Sequence, residues 1–441
     1  MVNDGNSGQP ESSNGNDNGS PVNDGSGSSV GRRPFIKAAG TGAAAAGLAG
    51  CLGGGGGSKT IKIGVLAPKA SPIGKSIFNS AKLAANEIGK INGKSVEVIT
   101  KDTKDNPSTA KKKYQELTTG AQVDTTMGIF GSEQLLTIMD PMAQTKTLHL
   151  GTGAATPEAT RKVARNYDKY KYFFRVGPTN SVFLGESLVE FAKDRFSSMG
   201  WEDVYVLAED YKWTTPVTEV LKSDLASEAG VNVINTKRVA SGTKDFTPIY
   251  DEIQNTGADG VYTVLAHLGS TSMVQWAKQT RPFGFGGINV ISQLPSIYEA
   301  TKGASRYAFS QTSATATAAI TDKTKPYANA YQKQYDALPV YTGYHTYDAM
   351  YMFKRAVEGA GGTDTGKLID QLEKMVYTGT VGDVAFYGKD KKYPHDVKQG
   401  PDFFQGVYFQ WQKVNGEGQQ QVIWPDDVAT SSYKTPPWIQ G

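Results

Sequence analysis

Cysteine is nearly absent: Cys51 is the only one in 441 residues. A lone thiol closes no intramolecular disulfide, and a thiolate metal site needs more than one. Histidine is scarce as well, at four residues, and positions 149, 267, 345 and 395 have no metal-ligand spacing. Charge of one sign does not accumulate. The chain carries 46 basic and 43 acidic residues for a net charge of +3, which gives no electrostatic case for nucleic acid. The uncharged run Ala38 to Gly50 is shorter than the roughly 20 apolar residues that a membrane-spanning helix needs. Catalytic signatures are missing too: there is no GxSxG, HExxH, GxxxxGK or GxGxxG. Asp102 and Asp105 read as turn and cap residues rather than as a reacting pair. The expectation is a protein without catalytic residues, metal or cofactor.

What is present begins with the stretch Gly31 to Ser58. Arg32 and Arg33 precede Phe35 and Ile36 and then the Ala- and Gly-rich run, the layout of an export signal of the twin-arginine kind. The run ends in Leu48-Ala49-Gly50-Cys51, which resembles the lipobox of prokaryotic lipoproteins and predicts cleavage before Cys51 with lipid on its thiol. A plain buried cysteine on an Ala/Gly helix is the alternative. Gly53 to Gly57 would form a flexible tether. Residues 1–30 are mostly Asn, Asp, Gly and Ser with almost nothing apolar and are expected to be disordered, because they bury too little to offset ordering entropy. The predicted location is the outer face of the cytoplasmic membrane, held by lipid. After the leader, roughly 390 residues remain, more than one compact domain usually holds.

From Lys59 the pattern alternates between short apolar strands and amphipathic helices. Thr60 to Leu66 reads as a buried strand. Ile77, Phe78, Ala81, Ala84, Ala85 and Ile88 then recur at helical spacing. Strands at Ser95–Thr100, Val123–Phe130 and Thr147–Leu150 alternate with helices, one of them opened by Asn106-Pro107-Ser108. A second series carries strands at Asp203–Leu207, Val231–Asn235, Gly260–Val264 and Ile288–Ile291. Arg306–Thr312 follows as a strand leaving that unit, and helices are expected at 325–337, 344–359 and 366–376. Phe403–Trp411 and Gln420–Trp424 have strand-like patterning. The fold class is α/β: two doubly wound parallel-sheet lobes with a ligand cleft between them, joined by a multi-segment hinge.

The order of motifs resembles the branched-chain amino-acid-binding proteins, the substrate-binding components of ATP-driven importers with a type I periplasmic-binding fold. The resemblance rests on Ile61 to Pro68 (IKIGVLAP), on Ser71-Pro72-Ile73-Gly74 and on Asp105-Asn106-Pro107. It continues in Gly128-Ile129-Phe130-Gly131-Ser132, Gly153 to Thr160 (GAATPEAT) and Phe174-Arg175-Val176. Gly242 to Phe246 (GTKDF) and Tyr347-Asp348-Ala349 complete it. It implies lobe one at 59–177 and 312–383 and lobe two at 178–311 and 384–441, with no enzymatic activity. It also implies a monomer that hands a small amino acid, amide or organic acid to an ABC permease and its ATPase. A ligand-sensing receptor of the same fold, feeding a signalling partner, is the alternative.

Site residues follow from the resemblance and from strand-end chemistry. A carboxylate is well held at a helix N-terminus, which points to Ser132 and Glu133, although Ser132 could serve as an ordinary cap. Gly153, Ala154 and Thr156 form a small-residue loop that admits a ligand near the backbone; the resembled loop has a threonine at the position of Ala155. In lobe two, Trp213 or its neighbour Tyr211 would cover the ligand, and Ala266 follows a strand end. His267 beside it reads as an ordinary buried or surface histidine. Amino-acid binders tend to carry an acid where Gln293 stands, to pair the ligand ammonium. Either Glu209, Asp210 or Glu299 takes that role, or the ligand has no free ammonium.

Overall fold

The computed structural model describes residues 59–439, which belong to a unit spanning Gly56–Gly441. The arginine pair, Cys51, the glycine tether and the 1–30 extension lie outside the described residues. Among the described residues no helix is long and apolar enough to cross a membrane.

Local chemistry starts the elements where polar caps stand. The Ser71 hydroxyl accepts from the Ile73 N–H at 3.2 Å and Pro72 opens the helix Pro72–Ile88, which stops at Gly89. Asn106 does the same for Pro107–Gln115, accepting from the Thr109 N–H at 2.9 Å. Such caps satisfy N–H groups that have no partner inside the helix.

The first half holds strands β1 (Thr60–Ala67), β2 (Lys90–Ile91), β3 (Lys94–Asp102), β4 (Thr125–Gly128), β5 (Leu148–Gly151) and β6 (Phe173–Arg175), in the sheet order β2-β3-β1-β4-β5-β6. All neighbours pair parallel except the β2–β3 hairpin. The second half contributes β7 (Asp203–Glu209), β8 (Asn232–Val239), β9 (Gly260–Leu265), β10 (Gly284–Asn289) and β11 (Phe309–Thr312). After the small pair β12 (Tyr377–Thr378) and β13 (Asp383–Val384) come β14 (Val407–Val414) and β15 (Glu417–Trp424). The second sheet runs β15-β14-β11-β10-β9-β7-β8. β14 pairs antiparallel with both β11 and β15, so the purely parallel sheet expected from the sequence gives way to a mixed one.

β10 begins four residues before the expected strand, inside the glycine run Gly284-Phe285-Gly286-Gly287, and Val290–Gln293 forms a 3-10 turn instead. The glycines are there for room. A Cβ on Gly284 would lie 2.3 Å from the Trp201 ring, and one on Gly286 would lie 2.2 Å from the Phe309 ring.

The cores follow the sheets. Ile63, Val65, Met127, Leu148 and Phe174 pack with Tyr344, Phe353 and Leu372 from the later helices. Val206, Leu221, Tyr262, Phe309 and Tyr408 form a core on the second sheet. Val384, Phe386, Val397 and Phe404 belong to the first core. The boundary drawn at 384 is therefore displaced, and the chain re-crosses only between Phe404 and Val407. Ile73, Ala155, Val340 and Tyr341 reach from the first half into the second half's core, so the two halves meet through apolar contact.

Candidate functional site

Parallel sheets leave their ligand crevices beyond the carboxyl ends of the strands, and both sheets turn those ends toward one cavity of about 330 Å³. From the first half come the turn after β4 and the loop after β5. From the second come the segments after β7, β9 and β10, and the strand β11 itself with Ser313 beyond it.

The β4 turn leads into the helix Ser132–Thr145, whose cap Gly131 has no side chain to accept a hydrogen bond. First-turn N–H groups have no partner within a helix, so these are open to an anion, and the helix dipole favours one. Ser132 is buried at 3% exposure. Its Oγ accepts from the Thr156 N–H at 3.2 Å, which leaves the hydroxyl proton to donate. Gln134 donates its Nε2 to Asp105 Oδ1 at 2.8 Å. Gln134 Oε1 and Thr312 Oγ1 are buried without a partner, and both residues line the cavity. The remaining wall is largely apolar, with Phe130, Leu184, Trp213, Ile288, Val290 and Tyr341.

Of the residues expected at the site, Ser132, Glu133, Gly153, Tyr211, Trp213, Ala266 and Gln293 line this cavity. Ala154 and Thr156 do not, and Ala155 takes the lining position between them. The reason is a buried pin behind the loop. Arg175 donates Nη1 to the Ala154 carbonyl and Nη2 to the Thr156 carbonyl at 2.6 Å. Its Nε lies 2.8 Å from Asp396 Oδ1, both side chains fully buried. The Thr156 hydroxyl instead accepts from the Glu158 N–H at 3.3 Å, closing a turn. Burial pushes the Arg175 pKa down and that of Asp396 up, with their mutual attraction opposing both shifts.

Trp213 lines the cavity and also belongs to the second core; its indole N–H donates to Glu209 Oε1 at 3.2 Å. Gln293 is engaged across the halves. Its Oε1 accepts from the Tyr341 N–H at 2.9 Å, and its carbonyl from Gln420 Nε2 at 2.9 Å. Glu299, one of the acids considered for a ligand ammonium, is exposed on the short helix Pro295–Ala300 and does not line the cavity.

His267 and Asp105 were read from the sequence as an ordinary histidine and a cap, yet both line the cavity. His267 Nε2 lies 3.2 Å from Asp105 Oδ2 in the first half and Nδ1 lies 3.0 Å from Glu209 Oε1 in the second. Tyr211 stacks on the imidazole with ring centroids 4.2 Å apart and planes 15° from parallel. Burial pulls the His267 pKa down, but the hydrogen bonds with Asp105 and Glu209 outweigh it and raise it to about 9. Asp105 and His267 stand 162 positions apart in the chain, and no local pattern signals their meeting. A further bridge between the halves is the Lys212 N–H donating to Glu133 Oε1 at 3.1 Å.

This architecture has relatives. A Leu/Ile/Val-binding protein homolog of Brucella abortus is 22% identical over 342 residues, covering 74% of this chain and 83% of that protein. A solute-binding protein of an ABC transporter from Rhodopseudomonas palustris, solved with 3,4-dihydroxybenzoic acid, superimposes with a TM-score of 0.71. It is 20% identical, covering 86% of this chain and 99% of that one. A branched-chain amino acid transporter substrate-binding protein from Streptococcus pneumoniae, solved with isoleucine, gives a TM-score of 0.67 at 16% identity, with coverages of 83% and 100%. The periplasmic binding protein family matches this sequence over residues 60–399, which hold the first sheet and all of the second but β14 and β15, and its members bind solutes without transforming them. The chain belongs to the periplasmic binding protein family.

Proposed function

We propose that this protein captures a small organic carboxylate between its two halves and delivers it to an ABC permease and its ATPase, acting as a monomer. The observation that carries the reading is the uncapped start of the Ser132 helix, opening into a cavity walled by both sheets. A carboxylate would accept from the first-turn N–H groups and the Ser132 hydroxyl. The apolar body would lie between Phe130, Leu184, Trp213 and Tyr341, and Gly153 would let it approach the backbone. The halves would open and close about the crossings near Gly177-Pro178, near Thr312 and between Phe404 and Val407. Support for the solute class comes from the relatives, one solved with an aromatic acid and one with isoleucine. The cavity's apolar wall suits either body.

We also propose export through the Arg32-Arg33 signal and anchoring by lipid on Cys51, which would keep the protein beside its permease on the outer face of the membrane. Mass spectrometry of exported protein checks this: a mature chain starting at a lipidated Cys51 is expected, and an unmodified cysteine excludes the anchor. The capture reading is tested by thermal shift of the full chain against amino acids, amides and aromatic and aliphatic acids. At a hundredfold excess over Kd a ligand adds about 2.7 kcal/mol of stability. A hit whose affinity is unchanged in Ser132→Ala would contradict the assignment.

A further inference from the structure

An amino-acid ligand brings an ammonium into a cavity with a largely apolar wall, and a buried ammonium without a counter-charge is costly. Asp105, Glu133 and Asp210 line the cavity and Glu209 is buried behind it, and cations stand against three of the four, Glu133 accepting a backbone N–H alone. Asp210 Oδ1 takes Arg238 Nη2 at 2.7 Å. Glu133 accepts the Lys212 N–H at 3.1 Å. Glu209, fully buried, accepts at Oε2 from the N–H groups of His267 at 2.8 Å and Leu268 at 3.2 Å, and at Oε1 from Trp213. Asp105 is held by Gln134.

Asp105 Oδ2 and Glu209 Oε1 both face a single ring. Carboxylates only accept, and neutral imidazole has one N–H. A ring with a carboxylate within 3.2 Å of each nitrogen makes both bonds only as the doubly protonated cation. We propose that His267 is a built-in cation that occupies the acids an amino-acid ammonium would use, and so restricts the site to carboxylates lacking an ammonium. This rests on the reading of the cavity as a carboxylate site and names the class within it.

The ring environment agrees. The imidazole is sandwiched against Tyr211 and lies 5.5 Å from the Phe130 ring centroid, and aromatic faces stabilise a cation. The charged groups around it are Asp105 from the loop before the helix Pro107–Gln115, Glu209 from the end of β7, Glu133 from the Ser132 helix, and the Asp210–Arg238 pair. The His267 proton is retained up to a pH of about 9, so the cation is present throughout the neutral range.

The test is calorimetric titration of the full chain with matched pairs: 3-phenylpropanoate against phenylalanine, and 4-methylpentanoate against leucine. At pH 7 the acid of a pair is expected to bind at least tenfold tighter than its amino acid. In His267→Ala and in His267→Gln, which keeps the ring's approximate length, the ratio is expected to fall at least tenfold, through gained affinity for the amino acid. Raising the pH of the wild type from 7 to 10 with the acids alone gives a readout without substitution: their affinity should drop as the cation is lost. A wild type that prefers the amino acid, or a ratio unmoved in both variants, overturns the inference while leaving solute capture intact. Binding by no member of either pair, with no other acid giving a hit, overturns both.

Discussion

Asp396→Ala is expected to be among the most destabilising single changes in the protein. Asp396 is fully buried and accepts from Thr160 Oγ1 at 3.0 Å and Asn180 Nδ2 at 2.9 Å, while its other oxygen lies 2.8 Å from Arg175 Nε. Removing it strands a guanidinium with no exposure to water, and breaking a buried pair from one side costs about 3–5 kcal/mol. Arg175→Met in the same background removes the stranded charge. The double variant should then lose less than the sum of the singles, with a coupling of roughly 1–3 kcal/mol. It will not return to wild-type stability, because the Ala154 and Thr156 carbonyls lose the donors they have now. Urea unfolding of the four proteins gives the cycle directly. A cost below about 1 kcal/mol for Asp396→Ala, or additive singles, would show that the pair is solvated or unformed, and the account of the pinned loop would fail. Since the Thr156 N–H holds Ser132 Oγ, ligand affinity should fall along with stability.

Other consequences are as direct. The folded-state pKa of His267 is raised from 6.5 to about 9, so its stabilising contribution is complete below pH 6.5 and is lost as pH rises through 9. Wild-type stability should decline by up to about 3 kcal/mol over that window, and His267→Gln should flatten the decline; equal pH profiles would refute the pairing. Gly286→Val drives a side chain into the Phe309 ring and should cost at least about 1–3 kcal/mol by urea denaturation. Gln293→Ala leaves the buried Tyr341 N–H without its acceptor and should cost about 1–3 kcal/mol. An unchanged midpoint would mean that the halves do not close through this bond.

The succession of strands along the chain and the turns that meet at the cavity were legible because they rest on local patterns. Apolar runs broken by helical periodicity located β1, β4, β5, β7 and β9, and the turns after them carried Ser132, Tyr211, Trp213 and Ala266 to the cavity wall. The pattern could not reveal strand direction, since alternation looks the same in parallel and antiparallel pairs, and β14 and β15 are antiparallel. Glycines hid the start of β10, whose room for Trp201 and Phe309 is a tertiary matter. The one-residue error around Ala155 came from Arg175, which pulls the flanking carbonyls of Ala154 and Thr156 backward. The Asp105–His267–Glu209 cluster escaped altogether. Each member has an ordinary local reading, and their proximity exists only once the two halves meet.

The most direct test of the central claim is a crystal structure of the full chain with the tightest carboxylate from the screen. The carboxylate is expected within hydrogen-bond reach of the Ser132 hydroxyl and the first N–H groups of its helix, with the body against Phe130 and Trp213. A ligand bound outside this cavity, or one whose carboxylate points away from the Ser132 turn, would contradict it.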